Sequence, residues 1–270
     1  EKEIKSDDYD ILLVAAPLEF GKNLHSIVDI AEEYGLRIDF YPHFINSLNF
    51  KIDVHYIDGI PLIRKSEPLK FLHNRIVKRS IDLIVAGLAF ILFYWWFHLF
   101  VGLAIKLTSK GPVLFKQKRI GTNGEEFLVY KFRTMRQTNN DEYQLTKKND
   151  PRVTKIGECL RKTNLDELPQ IINVLKGEMS IVGPRPHPVE EDLEVRKKVS
   201  KYMVRHFVKP GITGWAAING YRGGTEDMDL MQKRINHDIY YIEFWTPWLD
   251  IKIITKTLWQ MATLNNPNAY

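Results

Sequence analysis

From Leu83 to Ile105 the chain reads LIVAGLAFILFYWWFHLFVGLAI, 23 residues in which only His98 titrates near neutrality. Coiled as a helix, this run is about 34 Å long, against roughly 30 Å for the hydrocarbon core of a bilayer. A helix buried in a soluble core has a similar composition, but the aromatic block Phe93–Phe97 is hard to pack there. The run therefore predicts membrane association. Arg75, Lys78 and Arg79 flank one end, and Lys106, Lys110 and Lys116 the other. Cations favour the cytoplasmic side of a membrane, and here both ends ask for it. A straight span would carry one basic cluster across, so the charges predict a re-entrant, monotopic helix.

Around this helix the composition is that of an ordinary folded protein, 44% hydrophobic and 26% charged. Residues 1–70 read as α/β: DILLVAA (10–16) and LRIDFYP (36–42) as strands, GKNLHSIVDIAEEYG (21–35) as a helix. No Gly-x-Gly-x-x-Gly follows the first strand, so nucleotide binding there is unsupported. The chain opens at Glu1 without a methionine, which reads as a trimmed start. Cys159, the one cysteine, excludes an internal disulfide and a multi-cysteine metal site, and is expected to be a buried, inert thiol.

Past the apolar run, residues 108–135 read as two strands around the turn GTNGEE, a β-hairpin. Between Lys106 and Arg136 there are eight basic residues against two acidic ones, a balance that suggests anionic partners. Residues 136–151 read as a polar loop. IVGPRPHP (181–188) must be extended, because prolines exclude helix. Near the end, residues 242–264 join Trp245, Trp248 and Trp259 to Lys252 and Lys256, the pattern of an interface-lying amphipathic helix.

KTNLDELPQ (162–170) sets Asp166 and Glu167 side by side at an expected helix start, where Thr163 or Asn164 would cap the first turn. That bland reading leaves the chemistry open. Arg133, Arg161 and Arg185, with Lys131 nearby, are candidates to grip phosphate oxygens. Two adjacent carboxylates suit Mg²⁺, which usually accompanies a diphosphate, and an ionised Asp can attack phosphorus. No Walker loop, Gly-x-Ser-x-Gly elbow or His-Glu-x-x-His pair is present, against an NTPase, a serine hydrolase or a zinc protease. Nor does any recognition-helix or stacking-sheet signature support nucleic-acid binding.

KRSIDLIVAGLA, AIKLTSKGPVLFKQKRIG, FLVYKFRTM, NDPRVTKIGECLRKTNLDELPQIINVLKGEMSIVGPRPHP and VKPGITGWAAING occur in that order. Together they resemble the bacterial polyprenol-phosphate sugar-1-phosphate transferases, the monotopic phosphoglycosyl transferases. The resemblance covers about residues 75 to 270 and includes the terminal NAY of the large glucose- or galactose-transferring members. It implies an α+β fold: a monotopic catalytic domain (111–270) behind a re-entrant membrane segment (71–110). A partial Rossmann-like α/β domain (1–70) precedes it.

The activity implied is transfer of sugar-1-phosphate from a UDP-sugar to undecaprenyl phosphate, with release of UMP, at the cytoplasmic face of the bacterial inner membrane. The product would start a surface polysaccharide. Asp166 would be the nucleophile. Glu167 would ligate Mg²⁺ or act as a base. Arg161 and Arg185 match phosphate-binding positions, and Asp250 in WLDIK would complete the metal site. The INGYRGGTEDM loop (218–228) is expected to face the sugar. The large members raise the expectation of a homodimer. The alternative from another class is an inactive membrane-anchored scaffold. One departure stands out. Family members break the membrane helix with a Ser-Pro step, whereas this chain has FYWWF and no proline between Arg79 and Lys110. A bend is then expected at Tyr94–Trp96, with a spanning helix as the other possibility.

Overall fold

The computed structural model describes residues 11–16, 24–33, 37–42, 52–58, 60–136, 150–222 and 227–263. Most of the polar loop at 136–151, residues 223–226 of the 218–228 loop, and the terminal NAY lie outside them. The chain divides into two compact units, Glu1–Ser66 and Glu67–Tyr270. In the first, β1 (Ile11–Ala16) and β2 (Arg37–Pro42) pair in parallel, with α1 (Leu24–Glu33) between them in sequence. Parallel neighbours need such a crossover. A second pair, β3 (Ile52–Ile57) and β4 (Ile60–Lys65), is an antiparallel hairpin.

The second unit opens with α2 (Leu72–Ala89), a π-helical turn (Phe90–Tyr94) and α3 (Trp95–Thr108). Backbone angles stay helical through the join (φ −67°, ψ −51° at Phe90; φ −64°, ψ −45° at Trp95), so the bend expected at Tyr94–Trp96 is not a break. The π turn has a packing reason. The inward row Lys78, Asp82, Ala86, Phe90, Tyr94 steps by four residues, which drifts roughly 40° per step in an α-helix. A wider turn turns the row back. Before the turn, Ala86 reaches the main core with Val129, Ile171 and Val182. From the end of the turn onward, Tyr94, Val101 and Ile105 pack on Phe132 and Leu160. The outer face is apolar and exposed: Leu88, Ile91, Leu92, Trp95, Leu99, Phe100 and Leu103.

Polar ties fix α2 as well. Buried Lys78 bridges Asp250 (2.8 Å) and Asp82 (3.4 Å). Asp82 accepts from Ser180 Oγ (2.8 Å) and Ile181 N (2.9 Å). Arg79 donates to the carbonyls of Val174 and Leu175.

The expected hairpin forms from β5 (Leu114–Ile120) and β6 (Glu126–Phe132), turning through Asn123 and Gly124 at positive φ. There follow α4 (Lys155–Lys162), α5 (Gln170–Lys176), β7 (Ser180–Val182), α6 (Val189–Lys198), β8 (Gly211–Thr213) and α7 (Trp215–Ile218). Helices α8 (Met228–Glu243) and α9 (Pro247–Ala262) complete the unit. Trp248 and Trp259 of α9 are exposed, but Trp245, just before it, is in the core. Strands β7 and β8 pair in parallel so closely that a Cβ on Gly211 would lie 2.1 Å from Gly183 N. Cys159, expected to be buried, is exposed. It falls on the outer side of α4, whose inward residues are Gly157 and Leu160.

Candidate active site

The dyad sits at a corner. Thr154 caps α4 by accepting from Gly157 N (3.0 Å), and Gly157 lies flat on the backbone of Thr134. At the end of α4, Arg161 donates from Nε to Thr134 Oγ1 (2.9 Å). Asn164 then adopts a left-handed conformation (φ 57°), a state that Asn tolerates better than most residues. The chain turns there into a 3₁₀ turn, Leu165–Glu167. Neither expected cap forms. Asn164 makes no side-chain cap bond, and Thr163 Oγ1 donates back to Cys159 and Leu160 carbonyls.

The corner gives the two carboxylates opposite environments. Glu167, 5% exposed, accepts four charge-assisted bonds. On Oε1 it takes Lys131 Nζ (2.8 Å) and Arg185 Nη2 (2.6 Å). On Oε2 it takes Arg185 Nη1 (3.0 Å) and Arg222 Nη2 (2.8 Å). Asp166, half-buried one residue earlier, makes no side-chain hydrogen bond or ion pair among the described residues. Burial and the charge of Glu167 push its carboxyl up to about 6, against the pull of Lys131, Arg161 and Arg185. Burial opposes ionisation of Glu167 too, but Arg185, Lys131 and Arg222 outweigh it and hold this carboxyl well below the usual range. Burial lowers Lys131 to about 8, although Glu167 draws it upward.

Four cations (Lys131, Arg161, Arg185, Arg222) thus surround two carboxylates, a net of +2 with all groups ionised. Such a site attracts a polyanion. Its donor set does not fit the Mg²⁺ pair expected from sequence. A carboxylate offers about four acceptor positions, and all those of Glu167 are filled. Asp250 belongs to another cluster, ion-paired to Lys78 and accepting from Tyr241 Oη (2.8 Å). Among the described residues no group of three or more His, Cys, Asp or Glu side chains could hold a metal.

Residues 73–264 match the family described as bacterial sugar transferase. The chain belongs to that family. One relative, the UDP-glucose:undecaprenyl-phosphate glucose-1-phosphate transferase of Escherichia coli (strain K12), is 48% identical over 76% of this chain and 44% of its own length. The chain therefore spans about half the length of that relative. The protein of the same name from Caulobacter vibrioides is 42% identical over 76% of each chain. The UDP-N-acetylgalactosamine-undecaprenyl-phosphate N-acetylgalactosaminephosphotransferase of Aeromonas hydrophila is 41% identical over 69% of this chain and 44% of its own length.

In this member of the family the structure gathers Asp166, Glu167, Lys131, Arg161 and Arg185 in one place. It puts Arg133 elsewhere. That guanidinium is 5% exposed and donates to the carbonyls of Lys110 (2.9 Å) and Ser109 (3.0 Å), anchoring the exit of α3. Arg222 is the site residue that sequence reasoning did not name. Its only signal was its place in the 218–228 loop, a loop expected to face the sugar.

Proposed function

We propose that this protein transfers a hexose-1-phosphate from a UDP-sugar to undecaprenyl phosphate and releases UMP. The single observation that carries the reading is the contrast within the dyad. Asp166 makes no side-chain hydrogen bond among the described residues and feels Lys131, Arg161 and Arg185, while Glu167 is locked. In the first step an Asp166 oxygen forms a bond to the β-phosphorus, and the bond from that phosphorus to the bridging oxygen breaks. UMP leaves with the electron pair. In the second step a phosphate oxygen of the lipid attacks the same phosphorus and the carboxylate departs, regenerating Asp166. An oxygen nucleophile must be ionised, and the surrounding cations favour that form.

Glu167 is held too acidic to serve as a base near neutrality. It acts as the anchor on which Lys131, Arg185 and Arg222 are preorganised around the diphosphate. Guanidinium groups keep further N–H donors for phosphate after gripping a carboxylate. Glu167 and Asp250, engaged in separate clusters, do not hold a metal between them.

The apolar outer face of α2–α3, with Trp248 and Trp259 of α9, supports a bilayer as the surface on which the lipid is met. Both halves of the long helix pack on the same compact unit, Ala86 on one core cluster and Val101 and Ile105 on a second. That favours a monotopic placement over a crossing one. The names of the Escherichia coli and Caulobacter relatives make UDP-glucose the first donor to test. Purified protein in nanodiscs is given a UDP-sugar panel with and without undecaprenyl phosphate. Lipid-dependent UMP release that Asp166→Asn abolishes supports the reaction. Folded protein inactive with every donor would favour the scaffold reading.

A further inference from the structure

We propose that Arg205 and Arg234 are positioning residues for this transfer, two buried cations that set the backbone from which Arg185 and Arg222 reach Glu167. The inference rests on the functional reading above and adds residues that do not themselves grip the dyad. Arg205 is 3% exposed and Arg234 5%. Arg205 Nη2 donates to the carbonyl of Arg185 at 2.6 Å. Arg234 Nε donates to the carbonyl of Tyr221, the residue before Arg222, at 2.8 Å. Each gripping arginine therefore has its main chain held by a second arginine.

The two holders are joined to each other. Arg205 Nη1 lies 3.3 Å from Tyr202 Oη, Tyr202 Oη lies 2.8 Å from His187 Nδ1, and Arg234 Nη1 lies 3.3 Å from His187 Nε2. The proton inventory closes in one direction only. Tyr202 Oη gives its proton to Asp192 Oδ1 (2.6 Å), so it must accept from His187 Nδ1–H. His187 Nε2 is then the acceptor for Arg234. Asp238 of α8 neutralises Arg205 at 3.0 Å. The chain Arg185–Arg205–Tyr202–His187–Arg234–Tyr221 thus ties the loop after β7 to the loop after α7. Both are irregular segments that no sheet ladder locks in register at the gripping residues. Arg205 Nε finds no hydrogen-bond partner among the described residues, but the bonds that this buried network does make favour one geometry.

A bulk structural role would make a different prediction from a positioning role, and a double-mutant cycle separates them. Arg234→Met, Arg234→Lys, Arg222→Lys and the Arg222→Lys/Arg234→Met pair are compared in nanodiscs. UDP-glucose-dependent UMP release and UDP affinity by calorimetry are both read. Arg234→Met is expected to lower kcat/KM by about 10- to 100-fold, the cost of displacing a reacting group by about an ångström. With Arg222→Lys already present, the same change is expected to cost less than about threefold, because its effect passes through Arg222. Arg234→Lys, able to reach the Tyr221 carbonyl with one donor, is expected to recover part of the loss.

Equal factors in both backgrounds, or a drop in Tm with unchanged KM and UDP affinity in the folded fraction, would overturn the proposal. UDP affinity follows the cycle even where turnover becomes too slow to measure. If Arg222→Lys and Asp166→Asn are themselves without effect, the site reading fails, which is a distinct result.

Discussion

Arg185 grips Glu167 with a two-point fork, Nη2 to Oε1 at 2.6 Å and Nη1 to Oε2 at 3.0 Å, while the adjacent Asp166 makes no side-chain hydrogen bond or ion pair among the described residues. The two carboxylates therefore answer neutralisation in opposite ways. Asp166→Asn removes a charge that burial disfavours, so the variant is expected to melt at the wild-type temperature or above it. It keeps UDP binding and loses turnover. Thermal melts and calorimetry on the same preparation check both halves.

Glu167→Gln strands three cations around a neutral amide. Breaking a buried ion pair from one side costs about 3–5 kcal/mol, so Tm is expected to fall by roughly 10 °C. Activity falls with it, since the guanidinium groups lose their anchor. A Glu167→Gln protein with wild-type Tm and wild-type kcat/KM would contradict the assignment.

The loop that carries Arg185 depends on the close approach of β7 and β8. A Cβ at position 211 would sit 2.1 Å from Gly183 N, inside any allowed contact, and the obstacle is backbone. Gly211→Ala is expected to destabilise by about 1–3 kcal/mol or more and to reduce UMP release by displacing residues 183–185. Gly87→Ala, with open space around the new methyl, is the control and leaves both unchanged.

His187 sets an acid limit on stability. Burial first, then Arg205, Arg234, Arg119 and Arg185, hold its imidazole well below the ordinary range. Its other neighbour, Tyr202, is pushed upward by burial and stays neutral. Because the folded value is depressed, the unfolded chain binds the extra proton first. This contribution is complete above about pH 6.5 and is lost as pH falls below it, by at most about 1.4 kcal/mol per pH unit. Asp192 is also lowered. Its burial acts the other way, but the bonds from His206 and Tyr202 prevail. It adds a second loss below about pH 4. Chemical denaturation from pH 7 to pH 5 should show a slope that His187→Gln flattens.

The π turn makes α3 sensitive to length rather than to composition. Deleting Leu99, in the α-helical stretch beyond the turn, would rotate everything after it by about 100° and take Val101 and Ile105 off Phe132 and Leu160. The deletion is expected to abolish assembly of a folded, active unit, whereas Leu99→Ala, at an exposed position, changes Tm by less than about 2 °C. Circular dichroism and UMP release read the difference.

Much of this was legible in the chain. The apolar run, the hairpin, the extended GPRP segment and the acidic dyad each carry a local signature: period, turn residues, proline, adjacent charges. What could not be read is direction. Arg133 and Arg185 are the same residue type in basic surroundings, yet one closes the end of α3 and the other grips Glu167. Arg222 lies 55 residues from Glu167 in sequence, and only the folded chain shows them in contact. Lys78 was read as a flanking surface cation. Its burial follows from the meeting of Asp82 and Asp250, which no local pattern reports. Asp250 was paired with Glu167 through the family resemblance, and the two sit in separate clusters.

A nucleophilic Asp166 would be covalently phosphorylated by the sugar donor. The measurement that tests it most directly is intact and peptide mass analysis after UDP-glucose is added without any lipid acceptor. The expected result is one hexose phosphate on the peptide that contains Asp166, with one equivalent of UMP released, and discharge when undecaprenyl phosphate is supplied. Unmodified protein that releases UMP only when both substrates are present, together with an Asp166→Asn variant of full activity, would contradict it.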